Sequence, residues 1–61
     1  MNEIIFYDES DPLNASVLRT MKYDASKVPQ IGAEIRSDGI LYNVKSVRFD
    51  YDANEVVVFL E

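Results

Sequence analysis

The chain has 61 residues, a net charge of −5 from eleven acidic and six basic side chains, and neither cysteine nor histidine. This length allows one domain, residues 1–61, because a chain of about sixty residues buries only about 60% of the surface that it exposes when unfolded. The composition excludes disulfides and thiolate metal sites, and it removes the commonest general base. The negative charge argues against nucleic-acid binding, which needs lysine and arginine to neutralise phosphates.

The segment "NEIIFYD" predicts a first strand, because it is dense in β-branched and aromatic residues. Alternation along a strand places Ile4 and Phe6 on one face and Ile5 and Tyr7 on the other. The following "DESDPLNAS" is rich in aspartate, serine, asparagine and proline, which is typical of a turn.

The segment "SVLRTMKYDASKVP" fits two structures. As a strand it places Val17, Arg19, Met21 and Tyr23 on one face, and it would form a hairpin with the first strand. As a helix over residues 11–22, several apolar side chains fall at near-helical spacing. We favour the strand and keep the helix as the alternative.

The remaining sequence contains a stronger pattern. The tripeptide "SDG" predicts a tight hairpin turn, and "EVVVFLE" predicts a last strand with apolar residues on both faces. Tyr42 and Val44 have one parity, whereas Val47 and Phe49 have the other. This change of phase predicts a bulge or sharp bend near Lys45–Ser46.

Together these segments predict an all-β fold, a small and strongly bent antiparallel sheet that forms an SH3-like barrel of about five strands. The alternative is an α+β arrangement with residues 11–22 helical. Residues 28–61 also resemble small phage and prophage proteins of Gram-positive bacteria that are expected to form such barrels. The residues that carry the resemblance are Pro29, Gly32, Ile35, Gly39, Tyr42, Val44 and the turn from Asp50 to Glu55. It implies a fold and a phage origin, and it carries over no catalytic residue.

The end of the chain partly matches a calcium-binding EF-hand loop. Asp50, Asp52, Asn54 and Glu61 occupy positions 1, 3, 5 and 12 of such a loop. Position 6, which requires glycine, is Glu55, and both flanks predict strands where the motif needs helices. We therefore predict a β-hairpin with an acidic turn and no metal site.

Other catalytic arrangements have little support. The carboxylates of Asp8, Glu9 and Asp11 fall in a predicted exposed turn, where little desolvation is available to separate their pKa values. The serines have no histidine to activate them, and no glycine-rich phosphate loop occurs. We predict that the protein is not an enzyme and needs no cofactor.

The leading hypothesis is a non-catalytic accessory protein of the phage type that binds a basic surface on another protein, inhibiting a host enzyme or defence system. The predicted contact residues are Asp8, Glu9, Asp11, Asp50, Tyr51, Asp52 and Glu55. The alternatives are an oligomeric structural or assembly module, and an oligomer that sequesters a nucleotide-like ligand. A homodimer or larger oligomer would reinforce the small core. Without a signal peptide or membrane span, the predicted location is the cytoplasm.

Overall fold

A computed structural model describes all residues from 1 to 61 and confirms the all-β class. The strands are β1 Glu3–Asp8, β2 Ser16–Lys22, β3 Glu34–Ser37, β4 Ile40–Asp50 and β5 Glu55–Leu60, with one 3₁₀ turn at Ala25–Lys27. The helix considered for residues 11–22 is wrong, since β2 occupies most of that segment. No helix in the structure is long and apolar enough to cross a membrane.

The five strands form one sheet in the order β2-β1-β5-β4-β3, and the sheet curls into a half-barrel consistent with a small SH3-like barrel. The predicted hairpin of β1 with β2 is present. Three neighbouring pairs are antiparallel, whereas β1 and β5 run parallel, with Ile4 opposite Val56. The sheet is therefore mixed, which differs from the fully antiparallel arrangement that the sequence predicts.

The core lies on the concave side of the sheet and is built from the three inner strands, β1, β5 and β4. Its buried residues are Ile4, Phe6, Tyr42, Val44, Val56, Val58 and Leu60. The alternation predicted for β1 is confirmed, because Ile4 and Phe6 are buried whereas Ile5 and Tyr7 lie on the other face. Val57 is also buried on that second face, so β5 is covered on both sides.

The phase change predicted near Lys45–Ser46 is confirmed. Val44 pairs with Leu60 and Ser46 pairs with Phe59, so that Lys45 is the extra residue of a β-bulge. Because of the extra residue, Val44 before the bulge and Val47 after it both face the core. The bulge also bends β4 near the point where its pairing changes from β3 to β5.

A second bulge lies in β2 and corrects the predicted face of that strand. Phe6 pairs with Arg19 and Tyr7 pairs with Val17, which leaves Leu18 as the extra residue. Val17 therefore lies on the opposite face from Arg19 and Met21, and 55% of its surface is exposed. Leu18 packs against the core instead.

The hairpin between β3 and β4 turns through Asp38 and Gly39, as the "SDG" signal predicts. Both residues have positive φ, 52° and 79°, which is the geometry of a type I′ turn. Aspartate tolerates the left-handed region because its short side chain can bond locally, and glycine adopts it without a Cβ clash.

We expect Gly39→Val to destabilise the protein by about 1–3 kcal/mol, because a β-branched residue is strained at this φ. Asp38→Asn should change stability by less than about 0.5 kcal/mol, because asparagine suits the first position of this turn. Urea unfolding measures both. Equal stability of the two variants would contradict the assignment of the turn.

Candidate functional site

The tip of the β4–β5 hairpin presents an exposed aromatic side chain between carboxylates. Asp50 pairs with Glu55 at the base of the tip, and the four residues from Tyr51 to Asn54 form the loop. The Ala53 N–H donates a hydrogen bond to Asp50 Oδ1 at 3.0 Å, and Asn54 ends the loop with φ of 58°. These contacts stabilise the turn and leave the side chain of Tyr51 82% exposed.

The neighbours of Tyr51 give the tip its chemical character. The side chain of Asp52 is exposed and makes no hydrogen bond or ion pair. Phe49 is half exposed at the end of β4, although its pairing with Val56 places it on the core side. The tip therefore combines two exposed aromatic rings with carboxylates. We call this surface, Phe49 to Glu55, the hairpin tip.

The second predicted acidic group lies at the end of β1 and in the loop that leads to β2. Two of its carboxylates accept hydrogen bonds from residues of this loop. Asp8 Oδ1 accepts a hydrogen bond from the Ser10 N–H at 2.8 Å. Asp11 accepts one from the Leu13 N–H at 3.1 Å and one from Asn14 Nδ2 at 2.9 Å. These are turn-forming bonds that occupy acceptor positions a partner would otherwise use.

Glu9 completes this loop with an ion pair of 3.4 Å to Lys45. The lysine is the extra residue of the β4 bulge, so the bulge directs its side chain toward the loop. Both side chains are partly exposed, and such a surface pair contributes about 0–1 kcal/mol. The lysine neutralises the charge of Glu9, so this end of the sheet is less acidic than its sequence suggests.

The structure separates the two predicted acidic groups. In the parallel pairing of β1 with β5, Asp8 lies beside Leu60 and Glu3 lies beside Glu55. The groups are thus at opposite ends of β5, roughly 16 Å apart at about 3.3 Å per residue. No single patch contains all seven predicted contact residues. Asp50, Tyr51, Asp52 and Glu55 share the hairpin tip, whereas Asp8, Glu9 and Asp11 share the loop at the far end.

The calcium-like spacing does not correspond to a shared site. Both flanks are strands, and Glu61 follows the far end of β5 from Asp50. Backbone hydrogen bonds of 3.0 and 3.1 Å hold Glu61 to Asn43 there. No group of three or more acidic side chains is close enough to hold a metal ion.

The convex face of the inner strands carries a group of stacked aromatic and cationic side chains. The rings of Tyr7 and Phe59 meet edge to face with centroids 5.9 Å apart. The Arg48 guanidinium lies 5.2 Å from the Phe59 centroid, within the range of a cation–π contact. This arrangement leaves Val57 buried, and it borders an open recess that Ile5, Tyr7 and Val17 also line.

A cleft of about 220 Å³ lies between β2 and β3, the two unpaired edges of the half-barrel. Its lining residues are Phe6, Leu18, Arg19, Met21, Lys27, Pro29, Ile35 and Ser37. We did not predict this site from the sequence, because the bulge at Leu18 decides which residues of β2 face it.

The six cationic residues do not gather into one phosphate-binding surface within the monomer. Lys45 pairs with Glu9, and Arg48 stacks on Phe59. Arg19 and Lys27 line the cleft, Lys22 lines a neighbouring recess with Lys27, and Arg36 lines neither. The nucleotide-sequestering alternative therefore gains no support from one subunit.

No protein-family model matches the chain, and no curated protein or solved structure shows significant similarity to it. The resemblance to phage proteins therefore stays a prediction.

Hydrogen bonds in the loops should make the stability fall in acid. The Asn14 side chain and the Leu13 N–H lower the pKa of Asp11, and the Ser26 hydroxyl and N–H lower the pKa of Asp24. A carboxyl whose folded-state pKa is depressed contributes stability above its unfolded pKa, about 3.9, and loses it as pH falls through the folded value. Urea unfolding at a series of pH values from about 5 downward should show this loss.

The variant Asp11→Asn should show a smaller acid-side loss than the parent protein, because its side chain does not titrate in this range. The same pH dependence in the variant and the parent would contradict a stabilising role for the Asp11 carboxylate.

Proposed function

We propose that this chain is a non-catalytic binding protein that uses the hairpin tip to engage a basic surface on another protein. The observation that carries the proposal is the 82% exposure of Tyr51 beside carboxylates that have few partners of their own. A tyrosine held at a tight turn loses little conformational entropy on binding, and tyrosine is enriched at interfaces and among their hot spots.

The charge of the tip suggests the chemistry of the partner. Asp50, Asp52 and Glu55 lie within six residues around Tyr51, and the protein carries a net charge of −5. Such a surface attracts a basic partner and speeds its association at low salt. On the resemblance to phage proteins, the partner that we propose is a host enzyme or defence protein whose basic site the carboxylates occupy in place of phosphates.

The loop with Asp8, Glu9 and Asp11 takes a lesser part in this proposal. Its carboxylates bond within the loop or pair with Lys45, so binding a partner there would first require these contacts to be exchanged. We expect the hairpin tip to supply most of the binding energy. The loop should contribute only through long-range electrostatic attraction to the partner.

The oligomeric assembly module is the second candidate, supported by the two unpaired sheet edges. The free edge of β2 presents backbone groups that a second copy could pair with. Antiparallel pairing about the middle of β2, however, would place Arg19 opposite its own copy, and like charges directly opposite are destabilising. This charge favours the monomeric binding protein over the oligomer.

Affinity capture from a bacterial lysate, followed by binding measurements on the captured protein, tests the hairpin tip. We expect Tyr51→Ala to weaken binding by about thirtyfold, the equivalent of a 2 kcal/mol hot spot. Asp52→Lys should weaken it as well and reduce its sensitivity to salt. Both substitutions should leave stability within about 0.5 kcal/mol, because the two side chains are exposed.

Matched controls exist at other surface sites. Leu13→Ala removes a 91% exposed apolar side chain in the β1–β2 loop, and Glu34→Lys makes the same charge change on β3. These variants should bind as the parent protein does. Capture of the same proteins with the same affinity by Tyr51→Ala and Asp52→Lys would refute the role of the hairpin tip.

Static light scattering separates the two candidates. We expect the mass of a monomer across the accessible concentration range, because Arg19 opposes pairing of the β2 edges. A mass that increases with concentration to a fixed dimer or larger assembly would instead favour the assembly module.

A further inference from the structure

The cleft between β2 and β3 is an apolar recess with a polar rim. Phe6 and Leu18 form one side of it, and Ile35 on β3 forms the other. Its polar contributors are Arg19 on β2, Lys27 at the end of the 3₁₀ turn and Ser37 on β3. An apolar recess with a few convergent polar groups is the usual form of a small-molecule site.

The charge of the cleft is opposite to that of the protein. Two of the six cations of the chain line it and no acidic side chain does, although the chain has eleven acids. Neither Arg19 nor Lys27 forms an ion pair, since the single ion pair of the structure joins Lys45 and Glu9. Lys27 lies close enough to Asp24 for its charge to lower the pKa of that carboxyl, whereas Arg19 has no acidic side chain beside it in the cleft. The cleft therefore presents net positive charge beside apolar surface.

Ser37 supplies an independent observation. It is 4% exposed, and its hydroxyl is a buried side-chain polar group without a hydrogen-bond partner. Leaving such a group unsatisfied costs about 1–3 kcal/mol. The hydroxyl can turn to meet an acceptor, so a ligand oxygen held at this wall would supply the missing partner.

We propose that the cleft binds a small amphiphilic acid, a carboxylate on an apolar body of a few carbons. The Arg19 guanidinium and the Lys27 ammonium pair with the carboxylate at the rim, where arginine can bind both oxygens. The Ser37 hydroxyl donates to an oxygen of the ligand, and the apolar walls cover its carbon chain. This site is separate from the hairpin tip and does not depend on the proposed partner.

The volume sets the size of the ligand. The cleft volume of about 220 Å³ lies below the range of about 300–1,000 Å³ that is typical of pockets for drug-sized ligands. The cleft therefore suits a short-chain acid and excludes full enclosure of a nucleotide or a long lipid.

A titration followed by two-dimensional amide NMR tests the ligand class. The probes are straight-chain carboxylates from acetate to octanoate, with 1-hexanol and hexylammonium as head-group controls. We expect shifts of the amides of β2 and β3, and affinity that increases about fourfold per methylene until the cleft is full. Hexanoate should bind at least about tenfold more tightly than hexanol, since charge-assisted bonds are worth more than neutral ones.

Substitutions then test the named residues. The double variant Arg19→Gln/Lys27→Gln should lose the preference for hexanoate over hexanol. Ser37→Ala should weaken hexanoate binding by about three- to tenfold while the free protein melts at the same or a higher temperature, because the substitution removes an unsatisfied hydroxyl. The melting temperature separates a lost ligand contact from a damaged fold.

A matched control is Lys22→Gln/Arg36→Gln, which lowers the net charge by the same two units outside the cleft. It should bind hexanoate as the parent does. Equal affinity for hexanoate, hexanol and hexylammonium would overturn the proposal and leave Arg19 as a charge that only protects the sheet edge. Equal loss of affinity in the control variant would overturn it too, because long-range charge would then explain the binding.

Discussion

The burial of β5 on both faces is the constraint on which the rest of the structure depends. Val56, Val58 and Leu60 face the core, while Val57 is buried under the side chains of the convex face. No other strand is covered to this extent, so β5 has to lie in the middle of the sheet with a neighbour on each side. Its neighbours are β1 and β4. The hairpins that these two strands form place the two acidic groups at opposite ends of β5 and leave β2 and β3 as the open edges of the sheet.

Much of the fold could be predicted because local patterns specify it. The bulge at Lys45 was predictable because apolar residues on either side have opposite parity, and only an inserted residue keeps both sets on the core face. The bulge at Leu18 was not, because Val17 and Leu18 are both apolar and either could face the core. The parallel pairing of β1 with β5 has no local signal, since it joins distant segments.

The candidate sites also differ in whether local sequence patterns or long-range strand pairing determine them. The exposure of Tyr51 could be predicted from a turn between two apolar strands, and the hairpin is a local structure. The separation of Asp8 from Asp50 depends on the direction in which β5 lies against β1, which composition and periodicity do not encode. The cleft needs both the bulge in β2 and the curl of the sheet, so Arg19 and Ser37 meet there only in three dimensions.

The strand order has a consequence for how the chain folds. The β1–β2 and β3–β4 hairpins are each closed by a short local connection. They do not contact each other directly in the sheet, because β5 lies between them. Both hairpins can form early, because their contacts are local. The contact between Ile4 and Val56 forms later, since these residues are fifty-two positions apart in the chain. Closing so long a loop costs conformational entropy before core contacts form, so high contact order makes the pairing of β1 with β5 the slow step. The speed of folding is thus set by the meeting of two local units, the β1–β2 hairpin and the three consecutive strands β3, β4 and β5.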